Sequence, residues 1–183
     1  MPAVIRGYMA ASLDGYIADR EGGVDFLKPY EGIDYGFTAF LSEIGTCIFG
    51  RSTFEQSVQL EPPGSWSFAS KRVVVVSSRP LIQPPPNVET WDRGVCDDLV
   101  RYLRAAEGGD VWVVGGARLQ GALLDLGAVD RLEIGLIPVL LGDGVPMFPK
   151  SQHRTLLDLV DVRRFDRGLL ILDYRRSVGT RGG

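Results

Sequence analysis

With one histidine in 183 residues, whole classes of chemistry drop out at the start. His153 sits in a polar stretch that reads as surface loop, so a histidine-built metal site cannot form within one chain and no metal ligand set is expected. A Ser-His-Asp hydrolase would have to recruit that same residue, and there is no nucleophile elbow for it to serve. Cysteine is nearly as scarce. Cys47 lies inside the apolar run Thr46 to Phe49 and Cys96 in a separate polar stretch, which is a pattern of reduced thiols rather than of a disulfide framework. Long hydrophobic runs are missing too. The longest uncharged stretch, near Ile134 to Gly142, contains Pro138 and falls far below the roughly 20 residues of a membrane helix, while the first apolar run carries Arg6 and makes no signal-peptide core. A cytoplasmic protein without a membrane partner is expected. There is no basic excess either: a net charge of −3 and a pI near 5.2 offer no field for nucleic acid. Finally, G-x-G-x-x-G and G-x-x-x-x-G-K-[ST] are both absent, which argues against the usual dehydrogenase and the P-loop nucleotidase.

What the chain does have is glycine at the ends of apolar runs. Val111 to Val114 is apolar at every position, as in a strand covered on both faces, and stops on Gly115-Gly116. From Ala117 onward Leu119, Leu123 and Leu126 recur as one helix stripe, and Gly127 ends it. A strand that stops on glycines and opens a helix directs free N–H groups and a positive dipole end past the sheet edge, an anion site. A tight turn needing positive φ is the plainer alternative. The plan recurs where Thr46 to Phe49 is followed by Gly50-Arg51-Ser52-Thr53 and a helical segment from Phe54-Glu55. Arg51 and the two hydroxyls suit phosphate oxygens, although Arg51 alone reads equally well as a solvated arginine. A third apolar strand, Val73 to Val76, ends in Ser77-Ser78-Arg79-Pro80. Three such ends can converge on one ligand, because ligands of α/β sheets sit outside the carboxyl ends of parallel strands.

The remainder fills in a single domain. Val4 to Ala11 is a first strand running into the Ser12-Leu13-Asp14-Gly15 loop before Tyr16-Ile17-Ala18, and residues 19 to 33 look irregular through Gly22, Gly23 and Pro29. Phe37, Phe40, Leu41 and Ile44 mark a helix, with Asp34 ahead of it as either its N-cap or a site residue. Trp66 and Phe68 read as lids on the core. Val88 to Trp91 is a short strand and Leu99, Tyr102, Leu103 and Ala106 a helix. Arg131 to Leu141 is long and rich in branched residues, Gly142-Asp143-Gly144 turns, and Arg163 to Phe165 pairs with Leu169 to Tyr174 through Asp166-Arg167-Gly168, so the C-terminal part is antiparallel. One domain over residues 1–175 is predicted, with a flexible polar tail over 176–183.

Five motifs then occur in order: Ser12-Leu13-Asp14-Gly15-Tyr16-Ile17-Ala18, Phe49-Gly50-Arg51-Ser52-Thr53-Phe54-Glu55, Val76-Ser77-Ser78-Arg79-Pro80, Val113-Val114-Gly115-Gly116-Ala117 and Pro138-Val139-Leu140-Leu141-Gly142-Asp143-Gly144. Together they resemble the C-terminal reductase domain of the riboflavin-biosynthesis deaminase-reductase, within the dihydrofolate-reductase-like superfamily, over roughly Val4 to Arg175. The resemblance implies an α/β three-layer sandwich whose central mixed, mostly parallel sheet has an antiparallel C-terminal edge. It also implies an oxidoreductase using NADPH as hydride donor to a pyrimidine or pterin-like substrate. By the family pattern, Gly50, Arg51 and Thr53 with Ser77, Ser78 and Arg79 hold the adenosine 2′-phosphate side, and Gly115, Gly116, Ala117 and Arg118 the pyrophosphate. Ser12, Asp14 and Gly15 border the nicotinamide, and Asp14 and Asp34 are the catalytic candidates. Asp34 precedes Gly50 by 16 residues, similar to the spacing between the pteridine-binding acid and the glycine-arginine turn of dihydrofolate reductases, which makes it the candidate substrate carboxylate.

By the same resemblance the Gly115–Gly116 peptide is expected to be cis and the chain a homodimer. Arg131 to Leu141 looks too apolar for an exposed strand, unless other elements of the same chain cover it. Two residues depart from the pattern: Phe26 stands where many relatives carry tryptophan, and Arg131 follows Asp130 where the family usually has glutamate. The zinc-binding histidines and cysteines of a deaminase domain are missing from the sequence. The implied activity is a reductase of the 5-amino-6-(5-phosphoribosylamino)uracil type, with a dihydrofolate-reductase-like pterin reductase or a non-catalytic NADPH-binding module as alternatives.

Overall fold

The computed structural model describes residues 2–62, 64–151 and 153–177, so the expected tail lies outside them apart from Arg176 and Ser177. In chain order the elements are β1 (Ile5–Ser12), β2 (Tyr16–Ala18), a 3-10 helix (Asp25–Tyr30), α1 (Phe37–Glu43), β3 (Ile44–Gly50), α2 (Arg51–Leu60), β4 (Arg72–Val76) and β5 (Val88–Trp91). There follow α3 (Asp97–Arg104), β6 (Asp110–Gly115), α4 (Ala117–Asp125), β7 (Arg131–Ile137), β8 (Val145–Pro146), β9 (Leu157–Arg164), a 3-10 turn (Asp166–Gly168) and β10 (Leu170–Arg176). Eight strands form one sheet in the order β5-β4-β3-β6-β1-β7-β10-β9, and β2 pairs with β8 in a small second sheet. Neighbours from β5 to β7 are parallel, while β10 runs antiparallel to both β7 and β9. Among the described residues no helix is long and apolar enough to cross a membrane.

The unbroken apolar strands are apolar because each face has a helical layer. In β3, Cys47 and Phe49 point with Val73, Val75 and Trp112 toward Phe40 of α1 and Phe54 of α2. Ile48, Val74, Val111 and Val113 point the other way, onto Leu99 and Leu103 of α3 and Leu119 and Leu123 of α4. At about 1.5–3 kcal/mol for each large side chain removed from water, these two clusters are the main driving force of the fold. Trp66 and Phe68 do cover the core, with ring centroids 5.9 Å from Phe54 and 5.2 Å from Phe49. Cys47 is buried, and burial pushes its thiol up to about 12, so it behaves as a core residue.

Several boundaries differ from the sequence expectation for identifiable reasons. β7 ends at Ile137 rather than Leu141, because Pro138 has no N–H to continue a ladder. It is also no edge strand: β1 and β10 flank it, so the chain itself covers the apolar run that pointed to self-association. Helix α2 begins at Arg51, directly on Gly50, three residues ahead of the expected start. Residues 19 to 33 contain a 3-10 helix with Pro29 inside it. Arg176 belongs to β10, one residue beyond the expected domain end.

A buried charge cluster went unforeseen. Arg6 on β1 is only 3% exposed, and its guanidinium donates to Glu133 Oε2 at 2.7 Å through Nη2, to Asp110 Oδ2 at 3.3 Å and to Glu43. Burial pulls the Arg6 pKa down, but the hydrogen bonds it donates to Glu133 and Glu43 more than offset it and the group stays charged. On the adjoining strands Arg131 grips Asp173 with Nε at 2.8 Å from Oδ1, which gives the unusual arginine at that position a partner.

Candidate functional site

The helices α2 and α4 open onto a single cleft of about 520 Å³ at the carboxyl ends of β3, β4 and β6. Gly50 and Gly116 are their N-caps, and neither helix start has a side-chain cap. The free N–H groups of two first turns therefore face one space, with both dipoles positive toward it. Gly50, Arg51, Ser52 and Thr53 line it from one side and Gly116, Ala117, Arg118 and Leu119 from the other. Gly22, Val76, Gln56, Val95, Val145 and Ile17 and Ala18 of β2 complete the wall, and among the described residues no carboxylate is part of it. The Gly115–Gly116 peptide is cis, as the resemblance implies. Gly116 is required by close approach: a Cβ there would stand 2.9 Å from Thr53 Oγ1. Gly115, at φ 143°, supports the turn without lining the cleft.

Arg51 is more than a solvated arginine. Its Nη1 lies 3.1 Å from Ser77 Oγ, 3.0 Å from Arg79 O and 3.0 Å from Pro80 O, while Nε pairs with Glu55 Oε1 at 2.7 Å. The guanidinium thus braces the turn after β4, which Ser77 also closes by donating to Arg79 O at 2.7 Å. The cleft wall reaches Val76, so Ser77, Ser78 and Arg79 follow immediately beyond it, with Ser78 and Arg79 exposed.

Ser12 and Asp14 are joined to each other. Ser12 is fully buried and its hydroxyl donates to Asp14 Oδ1 at 2.6 Å while accepting from Tyr16 N at 2.9 Å. Asp14 also accepts from Gly142 N at 2.7 Å and Leu141 N at 3.2 Å. These bonds, that from Ser12 first, hold its carboxyl below the usual aspartate range. Gly15, at φ 88°, accepts from Met147 N at 2.8 Å. The loop after β1 is in this way fastened to the turn after β7, a contact with main chain that no side-chain motif discloses.

A second, larger cleft of about 980 Å³ opens over the other half of the sheet, on the α1 side. Tyr8, Met9 and Ala10 of β1, Gly135 and Ile137 of β7 and Ile171 of β10 form its floor, and Tyr30, Tyr35, Phe37 and Trp112 stand in its walls. Asp34 lines it, exposed, with Oδ1 accepting from Gly36 N at 3.0 Å. Gly36, at φ 87°, is the N-cap of α1, so of the two readings left open for Asp34 the capping one falls away. Asp14 lines neither cleft, so the two catalytic candidates are not brought together. The sequence does not disclose the aromatic walls, because Phe37 falls on a helix stripe and Trp112 within an apolar strand. Tyr8 is 8% exposed, its hydroxyl has no hydrogen-bond partner among the described residues, and burial raises its pKa, so it stays a neutral phenol. His153 is exposed, 3.8 Å from Asp125, and lines neither cleft.

A match to the RibD C-terminal domain family spans residues 3–171. The uncharacterized protein YwjB of Bacillus subtilis strain 168 is 33% identical over 171 residues, covering 93% of this chain and 96% of that protein. YyaP of the same strain is 30% identical over 176 residues, 91% of each. Among solved structures, a protein of Shewanella sp. PV-4 assigned to riboflavin biosynthesis is similar with a TM-score of 0.80 at 25% identity, over 95% of this chain and 99% of that one. The diaminohydroxyphosphoribosylaminopyrimidine deaminase/5-amino-6-(5-phosphoribosylamino)uracil reductase of Thermotoga maritima gives a TM-score of 0.72 at 16% identity, over 96% of this chain and 57% of that one. Dihydrofolate reductase from Enterococcus faecalis, complexed with NADP(H), gives 0.65 at 21% identity, over 94% and 96%. The last two are likenesses of fold, and the architecture is the dihydrofolate-reductase-like sandwich that the motifs implied.

Proposed function

From the membership of this chain in the RibD C-terminal domain family, we propose that it is an NADPH-dependent reductase acting on a small pyrimidine or pterin-like heterocycle, in the cytoplasm. The observation that carries the reading is the convergence of two helix starts without side-chain caps, α2 and α4, on one cleft that holds no carboxylate among the described residues. Such a cleft suits a polyanion, and the residues present fit a dinucleotide: glycines at the points of close approach, backbone N–H donors, two guanidinium groups and hydroxyls. Gly116, Ala117 and Arg118 are assigned to the pyrophosphate, with Gly115 shaping the turn. Gly50, Arg51 and Thr53, with Ser77, Ser78 and Arg79, are assigned to the adenosine 2′-phosphate side. When bound, NADPH supplies the hydride.

The chain's own residues do the remaining work. Ser12, Asp14 and Gly15 fix the loop that borders the nicotinamide by tying it to Leu141, Gly142 and Met147. The larger cleft takes the substrate. There the aromatic walls stack a flat ring and exclude water, and Asp34 accepts ring N–H groups and so fixes which face of the ring is presented. Thermal melts with NADPH and NADH test the cofactor assignment, since a ligand at 100 times its dissociation constant adds about 2.7 kcal/mol. A melt unmoved by NADPH refutes it. Sustained NADPH oxidation with a pyrimidine or pterin separates an enzyme from a binding module.

We also propose a homodimer through β9. This strand is paired on one side alone, and Leu159, Val160 and Val162 are exposed along it. Light scattering at high micromolar concentration should give twice the chain mass, and a monomer mass there overturns the proposal.

A further inference from the structure

A third pocket, of about 200 Å³, lies apart from both clefts, between the second half of α4 and the segment that joins β8 to β9. Its walls are mostly apolar: Leu124 of α4, Leu132 of β7, Leu157 of β9, and Phe148 and Pro149 of the joining segment. Its cover is seated by design of the helix. Gly121 stands inside α4, where glycine costs about 1 kcal/mol relative to alanine, and a Cβ there would lie 2.5 Å from Pro149 Cγ. Glycine is what lets Pro149 rest on the helix. One turn further along a second clasp holds the same segment: Ser151 Oγ donates to Asp125 Oδ1 at 2.6 Å and accepts from His153 N at 2.9 Å. Asp125 Oδ2 has no hydrogen-bond partner among the described residues, and among them no lysine or arginine is part of the lining. Lys150, Arg154 and Arg176 are exposed and outside the lining, so water screens them from it. Because Ser151 donates to the carboxylate and not to the imidazole, no nucleophile and base are paired, and the pocket is one that binds without catalysing.

We infer that this pocket is an effector site for a one-ring apolar molecule bearing an amine, with the ring against the leucines and Phe148 and the amine donating to Asp125 Oδ2. An apolar cavity of roughly 150 Å³ admits benzene, so a single ring fits. Both walls of the pocket continue into the smaller cleft. Helix α4 presents Gly121, Leu124 and Asp125 here and Ala117, Arg118 and Leu119 there, all within nine residues. The covering segment starts from β8, whose Val145 lines that cleft, and Met147 N is fastened to Gly15 O at 2.8 Å. A ring lodged between α4 and this segment therefore fixes the spacing of two elements that also face the smaller cleft, and orders them before a second ligand arrives there. The inference rests on the reductase reading only in taking NADPH for that second ligand.

The test is an amide NMR titration of the full chain with benzylamine, benzyl alcohol and benzoate, which share a ring and differ in charge. Benzylamine should shift the amides of Gly121, Asp125 and Ser151 with a dissociation constant of about a millimolar or below, benzyl alcohol should bind about three- to tenfold more weakly, and benzoate more weakly still. Asp125→Asn should bring benzylamine level with benzyl alcohol, and Thr155→Phe, which puts a ring into the pocket from a lining position, should weaken both at least about tenfold. The Gly116 and Val145 amides should move with the same dissociation constant, and saturating benzylamine should tighten NADPH at least about threefold. Shifts confined to the larger cleft, benzoate binding as tightly as benzylamine, a preference for the amine that survives Asp125→Asn, or Gly116 and Val145 amides that stay still overturns the inference. NADPH bound with an affinity that benzylamine leaves unchanged overturns the effector role. A chain that binds benzylamine and moves those two amides yet ignores NADPH would refute the reductase reading and leave this one standing.

Discussion

Replacing Arg51 with alanine should cost the protein stability as well as cofactor, whereas replacing Arg79 should cost cofactor alone. Arg51 Nη1 has three acceptors within 3.1 Å, Ser77 Oγ, Arg79 O and Pro80 O, but only two hydrogens to share among them. Two full hydrogen bonds from a charged group would be worth about 1.5–3 kcal/mol each if buried. Since Arg79 O and Pro80 O lie at the surface and the arginine side chain is 20% exposed, solvent brings each bond down to about 1 kcal/mol, about 2 kcal/mol in all. The pair with Glu55, one turn along α2, adds about 0.3–0.5 kcal/mol. For a chain of this size the total corresponds to a melting temperature lower by about 5–10 °C. The Arg79 side chain is exposed and makes no hydrogen bond or ion pair among the described residues, so Arg79→Ala should stay within about 0.5 kcal/mol of the parent. Its loss should weaken NADPH roughly tenfold or more while leaving NADH unchanged. Arg51→Lys keeps the charge but not the fork, and should recover little of the lost stability. The assay is a ligand-free melt of each variant followed by dissociation constants for both cofactors. An Arg51→Ala melt within about a degree of the parent, or an Arg79→Ala variant that loses NADH as strongly as NADPH, refutes the reasoning.

Four further outcomes follow from the same geometry. Gly116→Ala places a Cβ 2.9 Å from Thr53 Oγ1, and a β-branched helix residue has little room to turn aside, so NADPH affinity should fall about tenfold and Thr53→Ala should restore part of it; calorimetry on both variants decides. Asp34→Asn keeps an acceptor for Gly36 N but removes the charge from the larger cleft, so turnover should drop at least about tenfold with the melting temperature unchanged, and an active variant would exclude Asp34 from substrate binding. Glu133→Ala leaves Arg6, 3% exposed, with only Glu43 and Asp110, which should cost about 3 kcal/mol in urea unfolding, the low end for a broken buried pair. Because the Asp14 carboxyl is held below its ordinary value of 3.8, the link to Leu141 and Gly142 is present above that value and is lost as pH falls below it; hydrogen exchange at the Gly142 amide should show protection that persists at pH 3.8 and is absent at any pH in Asp14→Ala.

The parts of this molecule legible in its sequence are those where one residue's local chemistry settles the matter. Strands covered on both faces read as unbroken apolar runs, and Val73 to Val76 and Val111 to Val114 are legible for that reason. Gly116 marks a helix start because a Cβ there would stand 2.9 Å from Thr53 Oγ1, whereas at Gly50 a Cβ would meet only ordinary contacts at 3.5 Å and beyond. Elements that depend on distant partners were not legible. Arg6 looked like a blemish in an apolar strand because Glu43, Asp110 and Glu133 are far away in the chain. The β2–β8 pair involves a three-residue and a two-residue strand and is too short to carry a period. Asp34 stayed ambiguous because its role turned on Gly36 adopting φ 87° and starting α1 itself. The substrate walls are aromatic residues whose spacing is that of any core, so nothing in the pattern distinguishes a ring facing a cleft from one facing a helix.

The position of β1 has a consequence for how the chain is made. It is complete within the first dozen residues, yet its neighbours on both sides, β6 and β7, are synthesised about a hundred residues later. At about 5–20 residues per second the ribosome leaves this apolar strand without partners for on the order of ten seconds, long after β3, α2 and β4 can close on one another as a local unit. Nascent β1 is therefore expected to lack its sheet partners until β7 has emerged. Synonymous changes that slow translation between α4 and β7 should lower the yield of soluble protein in cells while leaving the purified product's unfolding curve untouched.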